Sequence, residues 1–252
     1  MSNRTFRYPG QRHAQGLPGK EYSLPADHQV VPIALTLLSF FLMLYVFQWQ
    51  DKTVYYMWIE GESSLTEHLT IVFAVVGIML AIRQFKRRDR VPSRFFGAIM
   101  VLFMTGFLYI AMEEASWGQH LFKWETPDWI SEHNNQQETN LHNLGLFGTQ
   151  LDRLPKAILG AIVVITGVLW PLYLRLKGSP NLPNWFKVYW PSSANTTTAW
   201  CFFTIWIIGR SFVISDANRL DNLNLHSSEI RELLITYFLV VYVRAFKRYP
   251  AD

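Results

Sequence analysis

The chain has a single cysteine among its 252 residues, Cys201, and it lies within an apolar segment. A lone cysteine cannot form an intrachain disulfide, a cysteine-based zinc site or an iron–sulfur cluster, because each of these needs several thiolates. The paired cysteines that attach haem c are also absent. Any metal would therefore be held by carboxylate and imidazole side chains, and no haem c and no iron–sulfur cluster is expected.

The sequence also lacks internal repeats, low-complexity tracts and enough charge for an ordinary soluble surface. Only 17% of its residues are charged, whereas 50% are hydrophobic. The hydrophobic residues form six long runs: Val30–Trp49, Leu65–Ile82, Phe95–Met112, Ala157–Leu174, Thr198–Ser215 and Ile230–Phe246. Runs of about 20 apolar residues have the length that a helix needs to cross the bilayer core. We therefore expect an all-α, polytopic membrane bundle with six transmembrane helices.

Basic and acidic residues fall on opposite sides of this predicted bundle. Most of the 23 lysines and arginines lie in residues 1–28, 83–94, 175–192 and 244–252, whereas most of the 19 acidic residues lie in the other loops. Because loops rich in lysine and arginine remain in the cytoplasm, the pattern predicts that both termini are cytoplasmic. The acidic loops would then lie at the outer face of the membrane.

Two segments outside the apolar runs define the predicted domain organisation. Residues 1–28 are polar and contain several glycines and prolines, which predicts a flexible cytoplasmic tail before a membrane domain over residues 29–248. The connection between the third and fourth helices, residues 113–155, is unusually long for a loop and rich in Trp, Leu and Phe. We expect it to be an ordered outer-face loop with short helices.

Carboxylates and one arginine point to a polar site at this outer face. Glu113 and Glu114 end the third apolar run, where they face the negative end of a helix dipole unless a cation, a proton or an arginine compensates them. Arg210 lies inside the fifth run, and an intramembrane charge usually pairs with an acid. Glu113, Glu114 and Arg210 are therefore the predicted catalytic residues. The alternative is a buried structural ion pair, and Glu67 has a structural alternative too because it follows Ser64 in a capping box.

A second group of residues has the chemistry of metal ligands. Glu138 and His142 are four residues apart, so on a helix both would point the same way and could bind one metal. His226 and Glu229, just before the last apolar run, would complete the predicted metal site. Carboxylate and imidazole donors suit zinc, iron or manganese. The structural alternative for Glu229 is that it follows Ser228 at a helix N-terminus, where acidic side chains are favourable.

Part of the outer-face loop resembles a known group of proteins. The segments Glu113–Gln119, Glu125–Pro127 and Glu138–Asn143 are similar to an uncharacterised family of bacterial polytopic inner-membrane proteins, over about residues 108–145. The resemblance implies a bacterial source, a place in the cytoplasmic (inner) membrane and an ordered loop. It implies no activity and no substrate.

Three classes of function agree with these features. The first is a metal-dependent enzyme that acts on a lipid or lipid-linked substrate at the outer leaflet, with one carboxylate as general base. The second is a non-catalytic assembly subunit whose outer loop docks another membrane or periplasmic protein. The third is a proton-coupled transporter, although the sequence has no repeat and no pair of broken helices. Membrane lipids are the predicted partners, and nucleic acid is not, because the basic loop lacks interleaved stacking residues.

Overall fold

The computed structural model describes residues 30–38, 40–41, 52–60, 64–91, 93–133, 139, 145–146, 149–150, 153–177, 189, 191–213 and 228–246. This part of the chain is almost entirely helical, as expected. The short strands β1 (Gly145–Leu146) and β2 (Thr149–Gln150) pair antiparallel within the outer-face loop. The predicted tail of residues 1–28 lies outside the described residues.

The described helices are numbered here in chain order. They are α1 (residues 30–38 and 40–41), α2 (Lys52–Tyr55), α3 (Leu65–Phe85), α4 (Phe96–Glu114), α5 (Gln119–Phe122), α6 (Asp128–Ser131), α7 (Arg153–Val164), α8 (Trp170–Lys177), α9 (Ser193–Val213) and α10 (Ser228–Ala245). A π-helical turn at Tyr56–Glu60 extends α2, and another at Ile165–Leu169 joins α7 to α8 without a break.

Within the described residues, three helices are long and apolar enough to cross a membrane. They are α3, α4 and the continuous helix Pro155–Lys177 formed by α7 and α8, with 21, 19 and 23 residues. At a rise of about 1.5 Å per residue, each has roughly the length of the bilayer core. Large apolar side chains such as Val72, Met79 and Leu102 are exposed along them, as lipid-facing side chains would be. These helices agree with a multi-pass membrane protein, and their ends lie within three residues of the predicted runs.

The last two predicted spans differ from this pattern for a physical reason. α9 and α10 are helices of 21 and 18 residues, but neither is apolar enough by composition to count as a candidate span. α9 begins with a polar stretch, and α10 carries Glu229, Arg231, Glu232 and Arg244. α10 is nevertheless the most buried helix, with most of its side chains packed against α3, α7 and α9. A helix surrounded by other helices can carry polar groups that a lipid-facing helix cannot.

Close helix packing depends on two glycines. A Cβ added at Gly77 of α3 would lie 2.6 Å from the Phe107 ring of α4, so only glycine allows this approach. A Cβ at Gly167 would collide with the side chain of Ala199 and lie 2.9 Å from Phe238. Small residues at helix crossings are typical of membrane bundles, in which van der Waals contact drives association.

Buried hydrogen bonds connect α9 to α10 and α1 to α9. The Asn195 amide donates to the Phe238 carbonyl at 2.9 Å, while its side-chain oxygen accepts from the Ser192 hydroxyl at 2.7 Å. The hydroxyl groups of Thr36 and Thr198 lie 3.0 Å apart and link α1 to α9. Each of these polar groups is buried, so the bonds avoid the cost of leaving them unpaired in the core.

Candidate functional site at the acidic end of the bundle

Charged side chains from four helices gather at one end of the bundle. Around Glu114, at the end of α4, lie three more carboxylates and one ammonium group, all close enough to interact with it electrostatically. These are Glu67 of α3, Glu229 and Glu232 of α10, and Lys156 of α7. We call these five residues the acidic cluster. Each of its side chains is partly shielded from solvent.

Glu67 is positioned by the cap of α3. The Glu67 amide donates to the Ser64 hydroxyl at 3.3 Å, which confirms the predicted N-terminal cap. The Ser64 hydroxyl also lies 2.9 Å from that of Thr66, which in turn donates to the carbonyl of Ile59. These bonds anchor the start of α3 to the preceding helical turn. Glu67 therefore enters the cluster from the first turn of α3, where the helix dipole favours a carboxylate.

The two carboxylates that end α4 have different surroundings. Glu113 is buried, with only 3% of its surface exposed, and its carboxylate accepts a hydrogen bond of 2.7 Å from the Trp117 indole. Glu114 instead belongs to the acidic cluster. It is in the last turn of its helix, where the dipole disfavours negative charge, and it faces like charges on the neighbouring helices. Among the four carboxylates of the cluster, Glu114 has the least favourable position for a negative charge.

Lys156 supplies positive charge to this cluster. Its ammonium nitrogen lies 2.7 Å from Glu232 Oε1, and the two side chains are 32% and 16% exposed. Glu232 Oε1 is itself removed from solvent and accepts no hydrogen bond of good geometry within the described residues, so this contact is an ion pair. The pair joins α7 to α10. A partly buried pair of this kind contributes more than a surface salt bridge, although desolvation offsets part of the gain.

The backbone immediately after α4 takes an uncommon conformation. Ser116, Trp117 and Gly118 have φ values of 43°, 54° and 86°, so three successive residues are in the left-handed region. This conformation is costly for the two residues that carry side chains, and such strain is found most often at functional sites and tight turns. Here it follows directly after the end of α4, and the Trp117 indole within it donates its hydrogen bond to Glu113.

Beyond this turn, polar side chains hold the outer-face loop together. The Gln119 amide donates to the Thr126 hydroxyl at 2.8 Å, and the Gln119 oxygen accepts from the Thr139 amide at 2.6 Å. The rings of Phe122 and Trp124 stack on each other at 5.8 Å and remain exposed. Short helices were predicted in this loop, and α5 and α6 confirm them. Their place at a membrane surface stays a prediction.

The structure brings together only part of the predicted site. Glu114, a predicted catalytic residue, and Glu229, a predicted metal ligand, are neighbours in the acidic cluster. Glu138, His142 and His226 lie outside the described residues. Arg210 is in α9, but its side chain is outside the described part, so its pairing with a carboxylate stays a prediction.

Three members of the cluster, Glu67, Glu232 and Lys156, were not among the predicted site residues. Glu232 follows Glu229 by three residues, so a helix beginning at Ser228 places both on one face, and this spacing was a usable signal. Lys156 is one of few basic residues on the acidic side of the sequence. That isolation was a second signal, because a single cation among many carboxylates is the natural partner for one of them.

The acidic cluster alone does not have the geometry of a metal centre. Within the described residues, no three His, Cys, Asp or Glu side chains are placed so that they could hold one metal ion. The carboxylates of the cluster therefore interact electrostatically, but they are not placed to coordinate one metal ion together. A metal at this end would need further ligands, for which Glu138, His142 and His226 are the predicted candidates.

Comparisons with protein-family models, curated proteins and solved structures found no match to this chain. The resemblance over residues 108–145 therefore remains an expectation from the sequence.

Proposed function

We propose that this chain is a six-span bacterial inner-membrane protein with both termini in the cytoplasm, and that its acidic end acts on a lipid or lipid-linked substrate with the help of a divalent metal. The observation that carries the proposal is the acidic cluster. Four helices, distant in the sequence, place carboxylates and a lysine together at the end of apolar helices. Charged groups that are partly buried between the helices of a membrane protein are costly and usually serve function.

The six-span topology is supported by the way the helices alternate. The acidic cluster contains the starts of α3, α7 and α10 and the end of α4, so α4 runs in the direction opposite to the other three, as the second, third, fourth and sixth spans of a six-span protein would. At the opposite end, the Gln84 side chain donates to the Val243 carbonyl at 3.4 Å, which joins the ends of α3 and α10. Basic residues such as Arg83 and Arg244 lie there. The acidic end would be the outer face under the charge rule for membrane loops.

The proposed chemistry divides the residues into two roles. Glu138, His142, His226 and Glu229 would bind zinc, iron or manganese, and the metal would polarise the substrate or activate a water molecule. Glu113, Glu114 and Arg210 would form the catalytic group, with a carboxylate as general base. The proximity of Glu229 to Glu114 supports placing both groups at one end of the bundle.

Elemental analysis of the detergent-purified protein tests this proposal. We expect about one divalent metal per chain, lost from Glu138→Ala and His142→Ala variants but kept in a Glu125→Ala control. Glu125 is an exposed acid of the same loop outside the cluster, so it matches the change in charge. Far-ultraviolet circular dichroism would show that all variants keep their helices. A wild-type protein without metal would reject the metal-dependent activity.

An assembly subunit is the second candidate, and the exposed aromatic residues of the outer-face loop favour it. Phe122 and Trp129 are 70% and 60% exposed, and aromatic residues of this kind are enriched where proteins bind each other. The two candidates differ in a measurable way. A Phe122→Ser/Trp129→Ser variant would lose a co-purifying subunit if the loop docks a protein, whereas its metal content would not change.

A further inference from the structure

The turn between α3 and α4 concentrates positive charge at the end opposite the acidic cluster. We call residues 83–95 the basic turn. Its described basic side chains are Arg83, Lys86, Arg87, Arg88 and Arg94, and all are exposed except Arg87, which is half-buried. Asp89 is the only acidic residue in this stretch. The turn thus presents a dense cationic surface on a short segment of chain.

These charges are held on an ordered backbone. The Arg88 guanidinium lies 4.5 Å from the centre of the Phe85 ring and donates to the Phe85 carbonyl at 3.3 Å. The Arg94 guanidinium lies 4.7 Å from the centre of the Phe95 ring. The Ser93 hydroxyl is 2.7 Å from the phenol oxygen of Tyr189, which ties the turn to a distant part of the chain. The guanidinium groups of Arg88 and Arg94 are therefore held in place before a partner binds, which lowers the entropy cost of binding them.

The basic side chains lie directly beside exposed apolar ones. Ile82 precedes the turn and Phe95 ends it, and both are exposed at the ends of candidate membrane spans. A layer of positive charge next to apolar surface matches the boundary between phospholipid headgroups and acyl chains. Within the described residues, the turn holds one ion pair, between Arg88 and Asp89 at 3.9 Å, and that aspartate side chain is 84% exposed.

We propose that the basic turn binds the phosphate groups of anionic phospholipids in the adjacent leaflet. The charge selects an anionic partner, and the exposed Ile82 and Phe95 select a lipid rather than a soluble phosphate. A nucleic acid fits less well, because the guanidinium groups of Arg88 and Arg94 already cover faces of the Phe85 and Phe95 rings on which bases would stack. The inference rests on the membrane placement of α3 and α4 and does not depend on the activity proposed for the acidic end.

Lipid titration of the full-length protein tests this inference. The protein in a neutral detergent would be titrated with phosphatidylglycerol or phosphatidylcholine, and its unfolding temperature and bound lipid would be measured. We expect phosphatidylglycerol to bind and to raise the unfolding temperature more than phosphatidylcholine does. A Lys86→Gln/Arg87→Gln/Arg94→Gln variant should bind phosphatidylglycerol at least about tenfold more weakly, since each basic residue near an anionic surface adds to the attraction. The difference should shrink at high salt.

Two further variants test whether phosphatidylglycerol binding depends on the positive charge of the basic turn itself. Arg7→Gln/Arg12→Gln/Lys20→Gln removes the same charge from the N-terminal tail and should keep the preference for phosphatidylglycerol. Arg87→Lys/Arg94→Lys keeps the charge and should retain most of the binding. If the Lys86, Arg87 and Arg94 variant does not fold, this charge-conserving variant and the wild-type lipid preference still decide the matter.

Several outcomes would overturn the inference. Equal effects of the two lipids, equal losses in the turn and tail variants, or the same stabilisation by soluble glycerol phosphate would each do so. Preferential binding of an RNA oligonucleotide over phosphatidylglycerol would also reject it. Release of the protein from membranes by alkaline carbonate would instead reject the membrane placement, so the two failures can be told apart.

Discussion

Lys156 of α7 and Glu232 of α10 form an ion pair in which the ammonium nitrogen lies 2.7 Å from a carboxylate oxygen removed from solvent. The pair links two residues that are far apart in the chain. It joins α7, which belongs to a candidate span, to the buried helix α10. Glu114 lies within electrostatic reach of both residues, so the pair also contributes to the surroundings of that carboxylate.

Removal of this ammonium group should destabilise the protein. A Lys156→Met variant leaves Glu232 partly buried without its cation, and we expect a loss of about 1–3 kcal/mol in the free energy of unfolding. Chemical denaturation in detergent, followed by circular dichroism, measures the change. The double variant Lys156→Met/Glu232→Gln should recover part of the loss, since it removes both charges. A loss no smaller in the double variant than in the single one would show that the pair does not contribute through charge.

Gly77 should tolerate no side chain, whereas Gly106 should. A Gly77→Ala variant places a methyl group 2.6 Å from Phe107, and we expect it to lose about 1–3 kcal/mol of stability through overpacking. Gly106 lies in α4 with no atom within 4 Å of an added Cβ, so Gly106→Ala should be neutral or stabilise the helix by up to about 1 kcal/mol. Thermal unfolding of the two variants in the same detergent compares them. Similar unfolding temperatures would contradict the helix contact.

Cysteine labelling would establish the topology. The chain has one cysteine, Cys201, and it is buried, so a Cys201→Ala background removes it with little disturbance. In this background, a cysteine at Glu125 should react with a membrane-impermeant maleimide on spheroplasts. A cysteine at Lys177, exposed at the opposite end of α8, should react only after lysis. The reverse pattern would invert the proposed orientation, and labelling of both on intact spheroplasts would rule out a span between them.

The sequence by itself was enough to predict the helices whose formation depends on local information. An apolar run as long as the bilayer is thick predicts a spanning helix wherever it occurs, and the observed ends of α3, α4 and the α7–α8 helix agree with that prediction. The cap of α3 by Ser64 was also predictable, because it involves residues three positions apart. The separation of acidic and basic ends followed from the order of loops along the chain.

Only the tertiary structure decided which helix lies at the centre and which charges meet. α10 carries more charge than a lipid-facing helix should, yet it is the most buried helix because its neighbours surround it. Lys156 pairs with Glu232, and Glu114 lies within electrostatic reach of Glu229, across long stretches of sequence. Such pairs depend on how helices pack side by side, which is set by contacts such as that of Gly77 with Phe107 and cannot be read from the spacing of residues along one segment.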